Sequence, residues 1–132
     1  MSAPPLFRVL LEVTDIDNAV RFYTELLGDP GRRVHSGRHY FDCGAVIVGL
    51  VDVSLSNRLA KPIPQHLYFA VPDLEAVHGR AHALNALSDE KVHGESGGQI
   101  VTRPWGERSF YAKDPYGNLV CFVDEKTLFT GR

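Results

Sequence analysis

Features that define several classes of protein are scarce in this 132-residue chain. Its two cysteines, Cys43 and Cys121, are too few and too far apart for a disulfide framework or a zinc motif. The longest apolar run, residues 45–51, is much too short to cross a bilayer. The N-terminus shows no basic segment followed by an apolar stretch. We therefore expect a cytoplasmic protein with reduced thiols and no membrane contact.

An excess of positive charge is also missing. The chain has 14 lysines and arginines against 16 aspartates and glutamates, which gives a net charge of -2. Nucleic-acid surfaces usually need a basic excess, so a nucleic-acid partner is not expected. The sequence also lacks a glycine-rich phosphate loop, a Gly-x-Ser-x-Gly elbow and a Cys-x-x-Cys pair. A length of 132 residues suits one domain or two fused half-size units.

What the chain does contain is an internal repeat. Residues 13–20 (VTDIDNAV) and 71–77 (VPDLEAV) share one pattern, and the offset is 71 − 13 = 58 residues. Each segment follows a short apolar run and opens a helical pattern. Such a repeat predicts two copies of one small unit. At this offset Arg8 corresponds to His66, because 8 + 58 = 66.

The first copy, about residues 6–52, is predicted to fold as strand, helix and further strands. Thr14 or Asp15 caps the helix, and Gly28 ends it. The predicted strands are residues 6–13, 33–41 and 45–52.

A connector of about residues 53–64 precedes the second copy, which covers about residues 65–125. Asp73 caps its helix. Residues 88–98 are polar and rich in glycine, which predicts an exposed loop. The predicted strands are residues 66–71, 99–103, 108–112 and 119–124, with a turn at residues 114–118.

The first strand of each copy has one apolar face and one mixed face. Arg8 and Glu12 lie on the mixed face of the first copy, and His66 and Tyr68 lie on that of the second. Helices are expected to cover the apolar faces. The mixed faces are then free to line a groove or cavity.

Residues 104–125, PWGERSFYAKDPYGNLVCFVDE, carry a resemblance to a known superfamily. This run, together with the repeat, resembles the vicinal oxygen chelate superfamily of glyoxalases, extradiol dioxygenases and antibiotic-resistance proteins. The run is closest in pattern to the bleomycin-resistance branch. The resemblance implies an α+β fold. It also implies that two βαβββ modules form a curled, cup-like mixed sheet with helices on its convex face, and that the protein is a homodimer.

The resemblance also implies positions for metal ligands on the first and last strands of the modules. These positions fall at Arg8, at Val48 or Gly49, at His66 and at Cys121. An arginine has no lone pair to donate to a metal, and valine and glycine carry no ligand atom. One usual ligand, His66, remains. We therefore expect no native metal and no other cofactor.

Three of the candidate residues have two interpretations each. Arg8 is either a clamp for an anionic ligand group or the partner, in a salt bridge, of Glu12 or of an acid on a neighbouring strand. His66 is either a ligand-contacting hydrogen-bonding group and proton shuttle or a structural residue. Cys121 is either a nucleophile activated by a neighbouring base or an inert packed thiol.

Aromatic residues are predicted to form a wall for a flat ligand. They are Tyr40, Tyr68, Trp105 and Phe110. Trp105 lies in a Pro-Trp-Gly corner, so its alternative role is a structural one, in which the side chain fills space in the fold.

The resulting prediction is a metal-free protein that sequesters a small organic ligand in a dimer cavity. Its ligand-binding residues are predicted to be Arg8, Glu12, Tyr40, His66, Tyr68, Trp105, Phe110 and Cys121. No catalytic residue is assigned. The alternatives are a glyoxalase-like, metal-dependent lyase or isomerase that uses His66 as a ligand, and a metal-free enzyme that uses His66 and Cys121.

Overall fold

The computed structural model describes residues 3–131 and divides the chain into two compact units. The first unit ends at Pro62 and the second begins at Ile63. Each has one α-helix against a four-stranded mixed sheet, which confirms the predicted α+β fold class. No helix within the described range is long and apolar enough to cross a membrane.

The first unit begins with strand β1 and ends with a short 3-10 helix at Val53–Ser56. Its elements are β1 (Arg8–Val13), α1 (Ile16–Leu27), β2 (Arg32–His35), β3 (Arg38–Cys43) and β4 (Val46–Asp52). The sheet order is β1-β4-β3-β2, with β1 parallel to β4 and the other pairs antiparallel. Asp15 caps α1 by accepting from the backbone N–H of Asn18 at 3.0 Å. Gly28 ends α1 with φ of 74°, a conformation that favours glycine.

The core of the first unit lies between α1 and one face of its sheet. Its largest fully buried apolar side chains are Leu11, Val13, Tyr23, Leu26, Phe41 and Leu50. Each such side chain stabilises the fold by roughly 1.5–3 kcal/mol relative to an exposed position. The opposite face of the sheet carries Arg8, Leu10 and Tyr40, and we call it the first open face.

The second unit repeats this plan with an added hairpin. Its elements are β5 (Leu67–Val71), α2 (Leu74–Ala83), β6 (Lys91–Val92), β7 (Glu95–Ser96), β8 (Val101–Thr102), β9 (Arg108–Lys113) and β10 (Leu119–Asp124), followed by a 3-10 helix (Glu125–Thr127). The main sheet has the order β5-β10-β9-β8, and β6 pairs with β7. Phe110 and Phe122 lie on the side of the sheet that α2 covers. The side opposite α2 carries Tyr68, Tyr111 and Cys121, and we call it the second open face.

The strand registers of the two units match at the repeat offset. In the first unit Leu10 is paired with Gly49, and in the second unit Tyr68 is paired with Cys121. Leu10 and Tyr68 are related by the repeat offset, because 10 + 58 = 68. Gly49 therefore matches Cys121, and this register removes the choice between Val48 and Gly49. The helix cap repeats as well, since Asp73 accepts from the N–H of Ala76 at 3.1 Å.

Two segments differ from the sequence prediction. Residues 33–41 do not form a single strand, because the chain reverses between His35 and Arg38 to pair β2 with β3. Residues 88–98 are not simply an exposed loop, because they contain the β6–β7 hairpin and end in buried glycines. A Cβ on Gly98 would lie 2.5 Å from the carbonyl oxygen of Ser88, so the close approach requires glycine there.

Candidate functional site

Two arginines flank one tyrosine on the first open face. The guanidinium carbon of Arg8 lies 5.8 Å from the centre of the Tyr40 ring and 4.9 Å from that of Phe7. From the same strand as Tyr40, Nη1 of Arg38 lies 3.5 Å from the Tyr40 hydroxyl oxygen. The ring of Tyr40 thus has a cationic side chain at its face and another at its hydroxyl end.

These two arginines have no carboxylate partner within residues 3–131. Glu12, the predicted alternative partner of Arg8, instead accepts from Arg58 Nη2 at 3.1 Å and from the backbone N–H of Lys61 at 2.9 Å. The Lys61 and Arg58 hydrogen bonds lower the pKa of Glu12. Glu12 therefore fastens the connector to β1, and the charge of Arg8 remains available to a ligand.

Gly49 provides the space that the Tyr40 ring occupies. A Cβ at this position would lie 2.8 Å from Leu10 Cδ2 and 2.8 Å from Tyr40 Cε1. Real Cβ atoms do not approach other atoms so closely, so any side chain here would displace the ring. The position where the superfamily resemblance implies an acidic ligand is thus filled by Tyr40 and Leu10.

On the second open face, His66 and Tyr68 lie near Tyr111. The rings of His66 and Tyr111 meet edge to face, with centroids 4.6 Å apart, while His66 and Tyr68 are 6.3 Å apart. Tyr68 is 64% exposed. Burial lowers the pKa of His66, and the charge of Glu90 opposes that effect only in part. His66 is therefore a neutral imidazole at neutral pH, able to donate one hydrogen bond and accept another.

Cys121 is a packed thiol on the same face and is 1% exposed. Burial raises its pKa to about 12, although hydrogen bonds with Ser109 and Tyr111 act in the opposite direction. Val92 of the β6–β7 hairpin packs against the cluster of Tyr111, Cys121 and Val123. Since only the thiolate is nucleophilic, this arrangement favours the inert thiol over the nucleophile.

Arg103 is a candidate residue that the sequence did not reveal. It is 2% exposed, and its Nε and Nη2 donate to the side chain and backbone oxygens of Ser109 at 2.9 and 3.1 Å. Its guanidinium carbon lies 5.0 Å from the centre of the Tyr111 ring. Its Nη1 is buried and has no hydrogen-bond partner. An unsatisfied buried donor costs about 1–3 kcal/mol, and a charged one costs more.

The two remaining aromatic candidates occupy different environments. Trp105 is 37% exposed, donates from Nε1 to Glu107 at 2.8 Å, and meets the ring of His93 edge to face. Phe110 is 0% exposed and stacks on Phe122 in the core beneath α2. The structure therefore places Phe110 away from the open face, because side chains alternate along β9 and the neighbouring Tyr111 takes the open side.

The side chains at the implied metal positions do not suit a metal ion. Arg8 has no lone pair, Gly49 has no side chain, and the thiol of Cys121 is protonated. His66 alone can donate to a metal. Within the described residues, no group of three or more histidine, cysteine, aspartate or glutamate side chains is arranged to hold one. These residues therefore do not fit the metal site that the resemblance implies.

Comparison with known proteins agrees with the fold. The Glyoxalase/Bleomycin resistance protein/Dioxygenase superfamily profile matches residues 6–122, and the chain belongs to this superfamily. No curated protein sequence matches significantly.

Solved structures with the same fold include proteins with different functional names. A glyoxalase/bleomycin resistance protein from Albidiferax ferrireducens T118 is 22% identical, with a TM-score of 0.73 over 90% of this chain and 97% of that one. A lactoylglutathione lyase from Agrobacterium tumefaciens is 27% identical, with a TM-score of 0.65 over 94% and 97%. Oxidase ChaP-H1 is 23% identical, with a TM-score of 0.73 over 92% and 96%. These likenesses show the fold and leave the branch of the superfamily open.

Proposed function

We propose that this protein binds a small organic ligand with an anionic group and holds it without a metal ion. The observation that carries the proposal is the arrangement of Arg8 and Arg38 around Tyr40, with no carboxylate partner for either arginine within residues 3–131. A guanidinium binds carboxylate or phosphate oxygens through paired N–H groups. The Tyr40 ring adds an apolar surface for the body of the ligand.

Sequestration, as in bleomycin-resistance proteins, is the proposed mode of action. Three features support binding without chemistry: the protonated thiol of Cys121, the missing side chain at Gly49 and the isolated His66. A cationic drug would be repelled by Arg8 and Arg38, so the proposed ligand is an acid rather than a base. Tyr40 is the group of the first unit proposed to contact its flat part, and His66 and Tyr68 stay predicted ligand contacts of the second unit.

A second candidate function is a metal-dependent lyase or isomerase. It is favoured by His66, whose neutral ring has a nitrogen lone pair, and by the likeness to the lactoylglutathione lyase. This candidate predicts bound metal in stoichiometric amount after purification and loss of turnover on chelation. The donor set speaks against it, because within residues 3–131 no group of three metal-ligating side chains includes His66.

We also propose that the protein acts as a homodimer in the cytoplasm. Large apolar side chains remain exposed in the first unit, including Leu6, Phe7, Leu55 and Leu59, and a partner subunit would cover such surface. Size-exclusion chromatography with light scattering tests the dimer. A monomer mass at all accessible concentrations would contradict it.

A thermal-shift comparison of matched ligands tests the main proposal. Benzoate and 2-naphthoate should raise the melting temperature, the corresponding amides should raise it less, and the amines should have no effect. Arg8→Met and Arg38→Met should each weaken acid binding by about 10- to 100-fold, the range for a hydrogen bond to a charged group.

The matched control for these variants is Arg33→Met. Arg33 is an arginine of the same sheet that already pairs with Asp17 at 3.0 Å, so its loss should leave acid binding unchanged. Equal binding of acids and amines by the native protein would contradict the proposal. An Arg33→Met effect as large as that of Arg8→Met would also contradict it.

A further inference from the structure

Arg103 is a buried cation whose hydrogen-bond partners are all neutral. Two of its three nitrogens donate to Ser109, its guanidinium lies over Tyr111, and Nη1 has no partner. Within residues 3–131 no ion pair involves Arg103. We propose that Arg103 forms a second anion-binding site, in which Nη1 donates to an oxyanion of a planar organic acid.

Within residues 3–131 no neighbouring carboxylate forms an ion pair with this cation. A guanidinium does not lose its proton in a protein, so Arg103 stays positive. Burial raises the pKa of Tyr111, which keeps its phenol neutral. Glu107, close in sequence, already accepts from the indole N–H of Trp105 and from the backbone N–H of Phe129, both at 2.8 Å.

A buried water would satisfy the N–H of Nη1 but would leave the charge uncompensated. An anionic ligand group would do both, which is why the site favours an acid over a solvent molecule. Since Arg103 lies over Tyr111, a group on Nη1 would sit close to that ring and to His66, which contacts it. Aromatic surroundings favour a planar acid over a small inorganic ion.

A ligand can reach Nη1 only if the residues that cover this nitrogen move, because Nη1 is buried in the ligand-free protein. Val92 of the β6–β7 hairpin packs on the cluster that contains Tyr111. The hairpin is joined to the Pro-Trp-Gly corner by the contact of His93 with Trp105, whose ring centroids are 4.9 Å apart. The hairpin is thus the element that we expect to open.

Arg103 would be a second binding position, in addition to the one at Arg8. The Arg103 site rests on the proposed function only in requiring an acidic ligand. Arg8 belongs to the first unit and Arg103 to the second. Variants at the two arginines therefore separate the two proposals.

Isothermal titration calorimetry at neutral pH tests the site, with benzoate, phenylphosphonate and benzenesulfonate as probes and benzamide as the neutral control. Arg103→Met should weaken the tightest-binding anion by about 10- to 100-fold and leave benzamide unaffected. Arg103→Lys keeps the charge without the planar fork and should cause an intermediate loss. The control is Arg108→Met, at an arginine of the same sheet that already pairs with Asp124 at 2.9 Å and Glu75 at 3.1 Å.

Urea unfolding without ligand separates binding from a structural role. Removing a buried charge that lacks a counter-ion should leave the midpoint of Arg103→Met unchanged or raise it. The inference is overturned if no anion binds more tightly than benzamide. It is also overturned if Arg103→Met leaves anion affinity unchanged, including the case in which the variant lowers the urea midpoint.

Loss of anion binding in Arg8→Met but not in Arg103→Met would keep the first site and remove the second. The reverse result would keep the Arg103 site and remove the Arg8 assignment. If Arg103→Met does not fold, the decision passes to Arg103→Lys. Unchanged anion affinity in that variant would overturn the inference.

Discussion

The guanidinium of Arg103 lies over the ring of Tyr111, 5.0 Å from its centre, at a position where neither group can neutralise the other. Burial keeps the phenol of Tyr111 protonated and hence uncharged. The pair therefore presents a permanent positive charge against an aromatic surface. The first open face has a related arrangement, in which Arg8 lies 5.8 Å from the centre of the Tyr40 ring.

The thiol of Cys121 should be unreactive in the folded protein. Burial raises its pKa to about 12, so almost no thiolate is present at mildly alkaline pH. Iodoacetamide should leave Cys121 unmodified in the native protein and modify it fully in urea, as peptide mass spectrometry would show. Stoichiometric native labelling would restore the nucleophile interpretation. Cys121→Ala should bind the acid probes with native affinity.

His66 should titrate below the ordinary histidine pKa of 6.5. Burial disfavours the imidazolium, while the negative charge of Glu90 favours it. Glu90→Gln should therefore lower the midpoint further, as NMR of the ring protons would reveal. A midpoint at or above 6.5 in the native protein would show that burial does not dominate.

The lowered pKa of His66 also predicts how the stability of the protein changes with pH. Because the pKa of His66 is lower in the folded state, the unfolded chain binds this proton first as pH falls. The unfolding free energy should then decrease from about pH 6.5 downwards, through the folded pKa. His66→Gln should flatten that part of a pH series of urea denaturation curves. An unchanged slope would contradict the assignment.

Glu12 should affect stability in a more acidic range. Its pKa lies below the ordinary value of 4.5, so its contribution is complete above that pH and is lost as pH falls through the folded pKa. Glu12→Gln should reduce the difference in unfolding free energy between neutral and acidic solution. An undiminished difference in the variant would show that other carboxylates produce it.

Two glycines should respond in opposite ways to replacement by alanine. Gly49→Ala should destabilise the fold by about 1–3 kcal/mol and weaken acid binding, because the new Cβ displaces Tyr40. Gly79→Ala should stabilise it by about 0.5–1 kcal/mol, since nothing lies within 4 Å of the added carbon inside α2. Urea denaturation gives both values. Equal effects would mean that the space around Gly49 is not limiting.

The sequence was sufficient to predict the features that depend on local patterns. The repeat, the caps at Asp15 and Asp73, and the end of α1 at Gly28 all follow from residue types at fixed spacings. The same holds for the alternation of β1 and β5 and for the turn at residues 114–118, where Asp114 accepts from the backbone N–H of Tyr116.

The sequence was insufficient where burial depends on distant strands. Arg103 is buried because β8 brings it against Ser109 and Tyr111, and an isolated arginine before Pro-Trp-Gly gives no sign of that. Phe110 is predicted to form part of an aromatic wall for a ligand, yet it lies beneath α2, because a shift of one residue along a strand exchanges its faces. The β6–β7 strands are two residues each, too short to produce an alternating pattern.

Titration of chelator-treated protein with 2-naphthoate tests the central claim most directly. The claim predicts that the affinity for the acid is the same before EDTA treatment, after it, and after addition of Ni²⁺, Zn²⁺ or Mn²⁺. The acid should be recovered unchanged. Arg8→Met should bind it weakly. Binding or turnover that disappears with EDTA and returns with a stoichiometric metal ion would contradict the claim.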